Sequence, residues 1–287
     1  MNARELGSRC EVWFMPLSDS DLAGCAAEFL SADELDRAAR FRFRYLRDAF
    51  VLARAGLRTL LAGYLDQAPG AIRFAYDRFG KPSLAWPIND LRFNLSHSGN
   101  MAVYAFGQCR ALGVDVEEVR EMEDALDIAR RFFASAEVAE LENAGIAERH
   151  RLFFTCWVRK EAFIKAVGEA LSMPLDSFRV QFLPGREPCV MDPDGGIKAD
   201  WRLHDLPLGA GYQAALACYG GPAALHIVDS EAAGDVLRSA VGSLTGSNRA
   251  RSRATADPTE TGCAAPSSPA ASGTPTGPTP RPPGPAR

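Results

Sequence analysis

The stretch Gly113-Val114-Asp115-Val116-Glu117 decides how the rest of this chain is read. A strand sends alternate side chains to opposite faces, so Asp115 and Glu117 share one side while Val114 and Val116 turn toward a core. Glu118, on the opposite face, is not part of that pair. Further on, Phe154-Thr155-Cys156-Trp157-Val158-Arg159-Lys160-Glu161-Ala162-Phe163-Ile164-Lys165 has the composition of a helix. Positions four apart stack on one side of a helix, which aligns Trp157, Glu161 and Lys165. Three carboxylates and a lysine then converge. Oxygen ligands suit Mg²⁺ and a lysine suits a phosphate, so the set has the chemistry of a divalent ion holding a polyphosphate. Plainer readings stand beside this one: alternate charges on a strand are commonly the wet face of an edge. Lys160, Glu161 and Lys165 are equally a surface ion-pair array, and Trp157 is most simply core.

Outward from this stretch, elements alternate irregularly. A strand is expected at 11–15, a helix opened by the capping box Ser31-Ala32-Asp33-Glu34, and a longer helix at 47–65. In that longer helix Phe50, Leu57, Leu60, Leu61 and Tyr64 fall at helical spacing, leaving Arg47, Arg54 and Arg58 on a basic side. Strands follow at 72–76, 91–95 and 101–106. The pattern restarts at Gly113, with helices expected at 126–133, 136–144 and 148–170 and strands at 178–182, 201–204, 213–219 and 225–228. Two successive halves of helices and strands predict an α+β protein with duplicated architecture.

From about residue 242 the composition turns to Ser, Thr, Ala, Gly and Pro, with nine of the nineteen prolines at 258–285. Such a segment buries too little apolar surface to offset its ordering entropy, so the fold is expected to end near 235 and a disordered tail to occupy 236–287. A cut after residue 240 is accordingly expected to leave activity unchanged.

The 287 residues fit two modest halves and a tail, and 47% hydrophobic with 24% charged residues is ordinary for a globular chain. A formal charge of −4 gives no general attraction to nucleic acid or to an anionic membrane. The seven cysteines lie without CxxC spacing and are odd in number, which favours reduced thiols over a disulfide framework. No apolar stretch reaches the roughly 20 residues of a membrane span, and the N-terminus lacks a signal-type apolar region. A cytoplasmic, soluble protein is the expectation.

Two further motifs carry chemistry. Arg78-Phe79-Gly80-Lys81-Pro82 reads as a turn between strands, where a lysine beside a glycine reaches a phosphate that approaches the backbone; the alternative is a plain surface turn. Phe93-Asn94-Leu95-Ser96-His97-Ser98-Gly99-Asn100 leaves a strand with several donors for an anion. A Ser-His-Asp hydrolase is disfavoured, because Ser96 and His97 point to opposite sides of a strand and no GxSxG elbow occurs.

In this order and spacing, Gly80-Lys81-Pro82, Phe93 to Gly99, Gly113 to Glu117 and Trp157 to Gly168 resemble the 4′-phosphopantetheinyl transferase superfamily, in its surfactin-type branch. Leu171 to Phe178 and Arg47-Asp48-Ala49 add to the likeness, which covers about residues 10–230. The resemblance implies two similar pseudo-twofold-related α/β halves meeting at a cleft. The N-terminal half, 1–110, would contact the coenzyme A nucleotide, and the C-terminal half, 111–235, would hold the metal and catalytic residues. It implies Mg²⁺-dependent transfer of the 4′-phosphopantetheine arm of coenzyme A to a serine of an apo acyl or peptidyl carrier domain, releasing 3′,5′-ADP. Asp115, Glu117 and Glu161 would bind the metal, with Glu161 and Lys165 catalytic. Arg47, Gly80, Lys81, Pro82, Ser96 and His97 would bind coenzyme A. Where relatives place a second basic residue after the Asp-Ala pair, this chain has Phe50 and Val51, and Arg54 is the substitute on offer. A monomer acting on carriers of peptide or polyketide synthesis is implied. The competing readings are a non-catalytic coenzyme A-binding or carrier-docking protein and an unrelated metal phosphohydrolase.

Overall fold

The computed structural model describes residues 6, 9–87, 90–168, 173–220, 224–228 and 231–254, with side chains as far as Leu244. In chain order the elements are β1 (Arg9–Pro16), α1 (Ser20–Ala26), α2 (Ala32–Ala39), α3 (Arg44–Leu65), β2 (Arg73–Tyr76), β3 (Pro82–Trp86), β4 (Arg92–Ser98) and β5 (Met101–Gly107). They continue with β6 (Ala111–Glu118), α4 (Ala125–Phe132), α5 (Ser135–Asn143), α6 (Ile146–Val167), β7 (Arg179–Val180), β8 (Val190–Met191), β9 (Trp201–Asp205), β10 (Tyr212–Tyr219), β11 (Ala224–Ile227) and α7 (Ala232–Ala254). The class is mixed α+β, as expected. The short α1, β3 and β8 escaped the sequence reading, and the strand expected at 178–182 is confined to β7.

Period-two alternation sorts the strands into layers. The first sheet runs β11-β1-β5-β4 and the second β6-β10-β9, with hairpins β2–β3 and β7–β8 apart. Trp13, Met15, Tyr104 and Phe106 turn toward Leu57, Leu60 and Leu61 of α3. Their neighbours Val12, Phe14, Val103 and Ala105 turn the other way and meet Val114, Val116 and Leu216 of the second sheet. Beyond that sheet, Leu203, Ala215 and Ala217 pack with Cys156, Ala162 and Phe163 of α6. The layers are therefore helix, sheet, sheet, helix. Each fully buried large apolar side chain stabilises this stack by roughly 1.5–3 kcal/mol.

Both helices approach their sheets over a glycine. A methyl at Gly56 would stand 2.5 Å from the Tyr104 hydroxyl, and one at Gly113 would overlap the Ala162 carbonyl and lie 2.9 Å from the Ala166 α-carbon. At Gly113 the neighbours are backbone, which cannot step aside cheaply, whereas at Gly56 they are the Tyr104 and Met15 side chains. Alternation puts Gly113, Asp115 and Glu117 on one face of β6, so the glycine that admits α6 also brings that helix over the two carboxylates. At its end α6 stops on Gly168, whose φ of +82° suits a residue without a side chain.

Three expectations are corrected. The fold does not end near 235: α7 runs to Ala254, and Ala233, Leu237 and Val241 are buried in the core of the first half. With them β11 pairs parallel to β1, so residues assigned to the second half complete the sheet of the first. The Pro-rich segment from 255 lies outside the described residues. Second, Arg54 and Arg58 do not form an exposed basic side of α3. Both are buried, with Arg54 Nη2 2.5 Å and Arg58 Nε 2.7 Å from the Glu34 carboxylate. Glu34 also accepts from the Ser31 amide at 3.0 Å in the expected capping box. Third, Lys160 is wholly buried and pairs with the equally buried Glu137 at 2.7 Å, donating as well to the carbonyls of Leu175 and Phe178. It is no part of a surface array. Among the described residues no helix is long and apolar enough to cross a membrane.

Candidate active site

The edge strands of the two sheets, β4 and β6, meet side by side, and side chains take the place of a backbone ladder between them. Asn94 Oδ1 accepts from the Val114 amide at 2.7 Å. Ser96 donates to Asp115 Oδ1 at 2.9 Å, and Ser98 donates to Glu117 Oε2 at 2.7 Å while accepting from the Glu118 amide at 3.2 Å. Alternation explains the series, since Asn94, Ser96 and Ser98 share one face of β4. His97, between them, turns away and makes no hydrogen bond with Ser96. A serine that donates directly to the aspartate, with the histidine on the other face, is not a hydrolase triad.

From the opposite side α6 supplies Glu161 and Lys165, one turn apart. Lys165 Nζ donates to Asp115 Oδ1 at 2.6 Å and to Ser96 Oγ at 3.0 Å. Burial pushes the Glu161 carboxyl up to about 6, and repulsion from Asp115 and Glu117 adds to it while Lys165 opposes it. Burial likewise raises Glu117, with Asp115 adding repulsion against the Ser98 bond and Lys165. The three carboxylates thus feel one another, as the sequence predicts. They are not gathered into a cage: among the described residues no three His, Cys, Asp or Glu side chains stand together as ion ligands. Lys165 occupies one oxygen of Asp115, and the other, Oδ2, is buried without a hydrogen-bond partner.

The Gly80-Lys81-Pro82 turn joins β2 to β3 and reaches this centre from a third direction. Asp77 Oδ1 accepts from the amides of Phe79 and Lys81 at 2.8 and 2.9 Å, and Gly80 takes φ of +83°, a conformation that suits glycine. Lys81 extends inward, donating to the Leu112 carbonyl at 3.2 Å and to the carbonyl of Lys165 near the C-terminal end of α6. Burial lowers its pKa, with Arg92 and Lys165 adding repulsion against the pull of Asp77. A cavity of 200 Å³ lies between this turn and the helix end, lined by Gly80, Lys81, Pro82, Asn94, Lys165 and Gly168.

The remaining expected residues stand further out. His97 is solvent-accessible, yet surrounding protein disfavours its charged form, and Lys165 and Arg37 push its pKa down further. Arg47 is exposed near the start of α3, its guanidinium 3.5 Å from Asp48. Arg54, the suggested substitute, is consumed by Glu34. Sequence reasoning missed Ser98 and Asn94 as partners of β6, although their spacing with Ser96 was the available signal. It also missed the Glu137–Lys160 pair behind Glu161, which only the fold brings together.

Comparison with known proteins identifies the family. A family model described as the 4′-phosphopantetheinyl transferase superfamily matches residues 111–217. The 4′-phosphopantetheinyl transferase HetI of Nostoc sp. (strain PCC 7120) is 37% identical over 187 residues, 64% of this chain and 78% of that protein. A putative 4′-phosphopantetheinyl transferase of Synechocystis sp. (strain PCC 6803) is 33% identical over 207 residues, 69% of this chain and 80% of its own length. The 4′-phosphopantetheinyl transferase Sfp of Bacillus subtilis (strain 168) is 31% identical over 166 residues, 58% of this chain and 72% of Sfp. With relatives more than 30% identical and more than two thirds of their length covered, the chain belongs to the 4′-phosphopantetheinyl transferase superfamily.

Proposed function

We propose that this chain moves the 4′-phosphopantetheine arm of coenzyme A onto a serine hydroxyl of an apo acyl or peptidyl carrier domain, releasing 3′,5′-ADP. The observation that carries the reading is the meeting of Asp115 and Glu117 on β6 with Glu161 and Lys165 on α6, where burial and mutual repulsion raise Glu161 and Glu117. In the reaction the serine oxygen bonds to the phosphoryl group of the arm, the pyrophosphate bond breaks, and the serine proton departs. Glu161 accepts that proton: with a pKa of about 6 it is ionised near neutrality, yet it holds a proton better than an ordinary glutamate. Lys165, one turn on, neutralises phosphate charge or protonates the leaving group.

The donor set fits Mg²⁺, because it offers carboxylate oxygens, one of them buried and unpartnered, whose repulsion a cation relieves. Asp115, Glu117 and Glu161 would hold the ion, which when bound would neutralise the pyrophosphate and polarise its oxygens. Coenzyme A we assign to the Gly80-Lys81-Pro82 turn, His97 and Arg47. As placed, Ser96 serves that site through Asp115 and Lys165.

We read α3 on the first sheet and α6 on the second, each 22 residues long, as the two pseudo-twofold halves. Residues 1–110 serve the nucleotide in this reading and 111–235 the metal and the chemistry. A chain holding both halves needs no second copy to form the cleft, so it acts as a monomer, in the cytoplasm. The test is incubation of the full chain with coenzyme A, Mg²⁺ and a panel of apo carriers. Each accepted carrier gains the mass of one phosphopantetheine; no gain on any carrier, or ADP release without a carrier, overturns the reading.

A further inference from the structure

Three cysteines meet between the two sheets, on the side of β6 away from its carboxylates. In the antiparallel pairing of β1 with β5, Cys10 stands opposite Gly107. Residues directly opposite send their side chains to the same face, and the Cys109 sulfur comes back beside that pair from the connection after β5. The sulfurs lie accordingly: a methyl built on Gly107 would have Cys10 Sγ 3.0 Å away and Cys109 Sγ 3.7 Å away. Both sulfurs flank the space of one missing side chain. Cys218 of β10 joins the same cluster from the second sheet, its thiol interacting with that of Cys10 and flanked by His204. All three are free thiols, Cys10 and Cys218 buried and Cys109 half-exposed.

This arrangement divides the labour of thiol–disulfide exchange. Exchange requires a thiolate that solvent can reach and a second thiol beside it to resolve the mixed disulfide. Cys109 is the accessible one. Interaction with the Cys10 thiol lowers its pKa against burial, with Arg92 and Lys81 contributing, whereas the Cys109 and Cys218 thiols and burial raise that of Cys10. Among the described residues these thiols are not arranged as ligands of an ion. Cys109 also sits in the connection between β5 and β6, outside any strand, where its Sγ donates to the Ala111 carbonyl at 3.3 Å. A disulfide needs β-carbons about 3.5–4.5 Å apart, so forming the bond draws the connection at 108–110 toward β1.

We propose that Cys109 and Cys10 are a redox-active pair, in which Cys109 exchanges with a low-molecular-weight disulfide and Cys10 resolves the adduct into an intrachain bond. With oxidised glutathione, the Cys109 thiolate attacks one sulfur and a glutathione thiolate leaves. Cys10, losing its proton, then attacks the Cys109 sulfur and expels the second glutathione. Two protein thiols become one disulfide while one oxidised glutathione becomes two reduced molecules, so electrons and protons balance. The product ties β1 to the connection that leads into β6. The inference is independent of the transferase reading.

The test uses the full chain with Cys25, Cys189 and Cys263 replaced by Ser, treated with oxidised glutathione, alkylated and mapped by peptide mass spectrometry. The expected result is a Cys10–Cys109 crosslinked peptide, loss of both thiols from titration, and full reversal by dithiothreitol. Cys109→Ser abolishes the crosslink, Cys218→Ser leaves it, and Cys10→Ala arrests the reaction as a glutathione adduct on Cys109. That adduct is read on the half-exposed residue, so it reports even where the buried substitution lowers stability. Cys10 and Cys109 both remaining alkylatable, or Cys10 found joined to Cys218, overturns the proposal.

Discussion

The Lys165 ammonium lies 2.6 Å from Asp115 Oδ1, and this single pair fastens α6 to β6 at the centre of the site. The other oxygen of the same carboxylate is buried and has no hydrogen-bond partner. One oxygen of Asp115 is thus paired within the chain, and the other is not.

Replacing Lys165 with Met leaves that carboxylate without its counter-charge. Removing one partner of a fully buried pair costs about 3–5 kcal/mol. Lys165 keeps part of its side chain in solvent, which reduces the expected loss to about 1–2 kcal/mol by screening. Thermal melts of the metal-free protein measure it, and carrier modification by the same variant falls by at least tenfold. An unchanged melting temperature would mean the pair contributes nothing to the fold.

Glu161→Gln keeps the shape of the side chain and removes its basicity. Carrier modification should drop by about 10²–10⁴-fold, the usual contribution of general base catalysis, with circular dichroism unchanged. Asp115→Ala should abolish turnover. Turnover near the parent level in both variants would sink the assignment of the centre.

The raised pKa of Glu161 gives a signed pH effect. In the metal-free fold this carboxyl favours its neutral form, so its contribution to stability is full below its ordinary value of 4.5 and is lost as pH rises through about 6. A bound cation reverses the preference and expels the proton. Titrating Mg²⁺ into the protein at pH near 6 should therefore release protons, read by calorimetry in buffers of different ionisation heat, and should release far fewer at pH 8. Identical heats in all buffers at pH near 6 would contradict it.

Lys160→Met strands the Glu137 carboxylate in the core, since that carboxylate is almost wholly buried. The expected loss is about 3–5 kcal/mol, and pairing the change with Glu137→Gln should recover part of it. Denaturant unfolding of both variants decides the matter. A double variant no more stable than the single would show that the pair is not the cause.

Leu237→Ala empties a buried position where α7 meets the first half, at an expected cost of about 2–5 kcal/mol. A cut after residue 240 removes Val241 from the same core, so it should lower the melting temperature rather than pass unnoticed. Equal stability of the cut and full chains would restore the earlier boundary.

How much of this was legible in the chain depends on the distance over which each residue finds its partner. Asp115 and Glu117 were readable because period two is a local property, and Glu161 and Lys165 because four residues make one helical turn. Arg54 and Lys160 were misread for the opposite reason. Their partners Glu34 and Glu137 lie 20 and more residues away, and a charged residue on a helix looks exposed until a distant carboxylate accounts for it. The strand β11 was read but given to the wrong half, and α7 was missed, because their partners in the first half lie about 200 residues back in the chain.

The parallel pairing of Arg9 with Ala224 has a consequence for how this protein is made. A ribosome delivers β1 early and β11 and α7 late, so the sheet that forms the first half stays open at one edge until nearly the whole fold has been synthesised. Long-range pairings of this kind are slow to form and leave strand edges exposed in the meantime. The second half, from β6 to β10, has its own sheet complete before β11 and α7 arrive, so the free edge of β1 is the last to close.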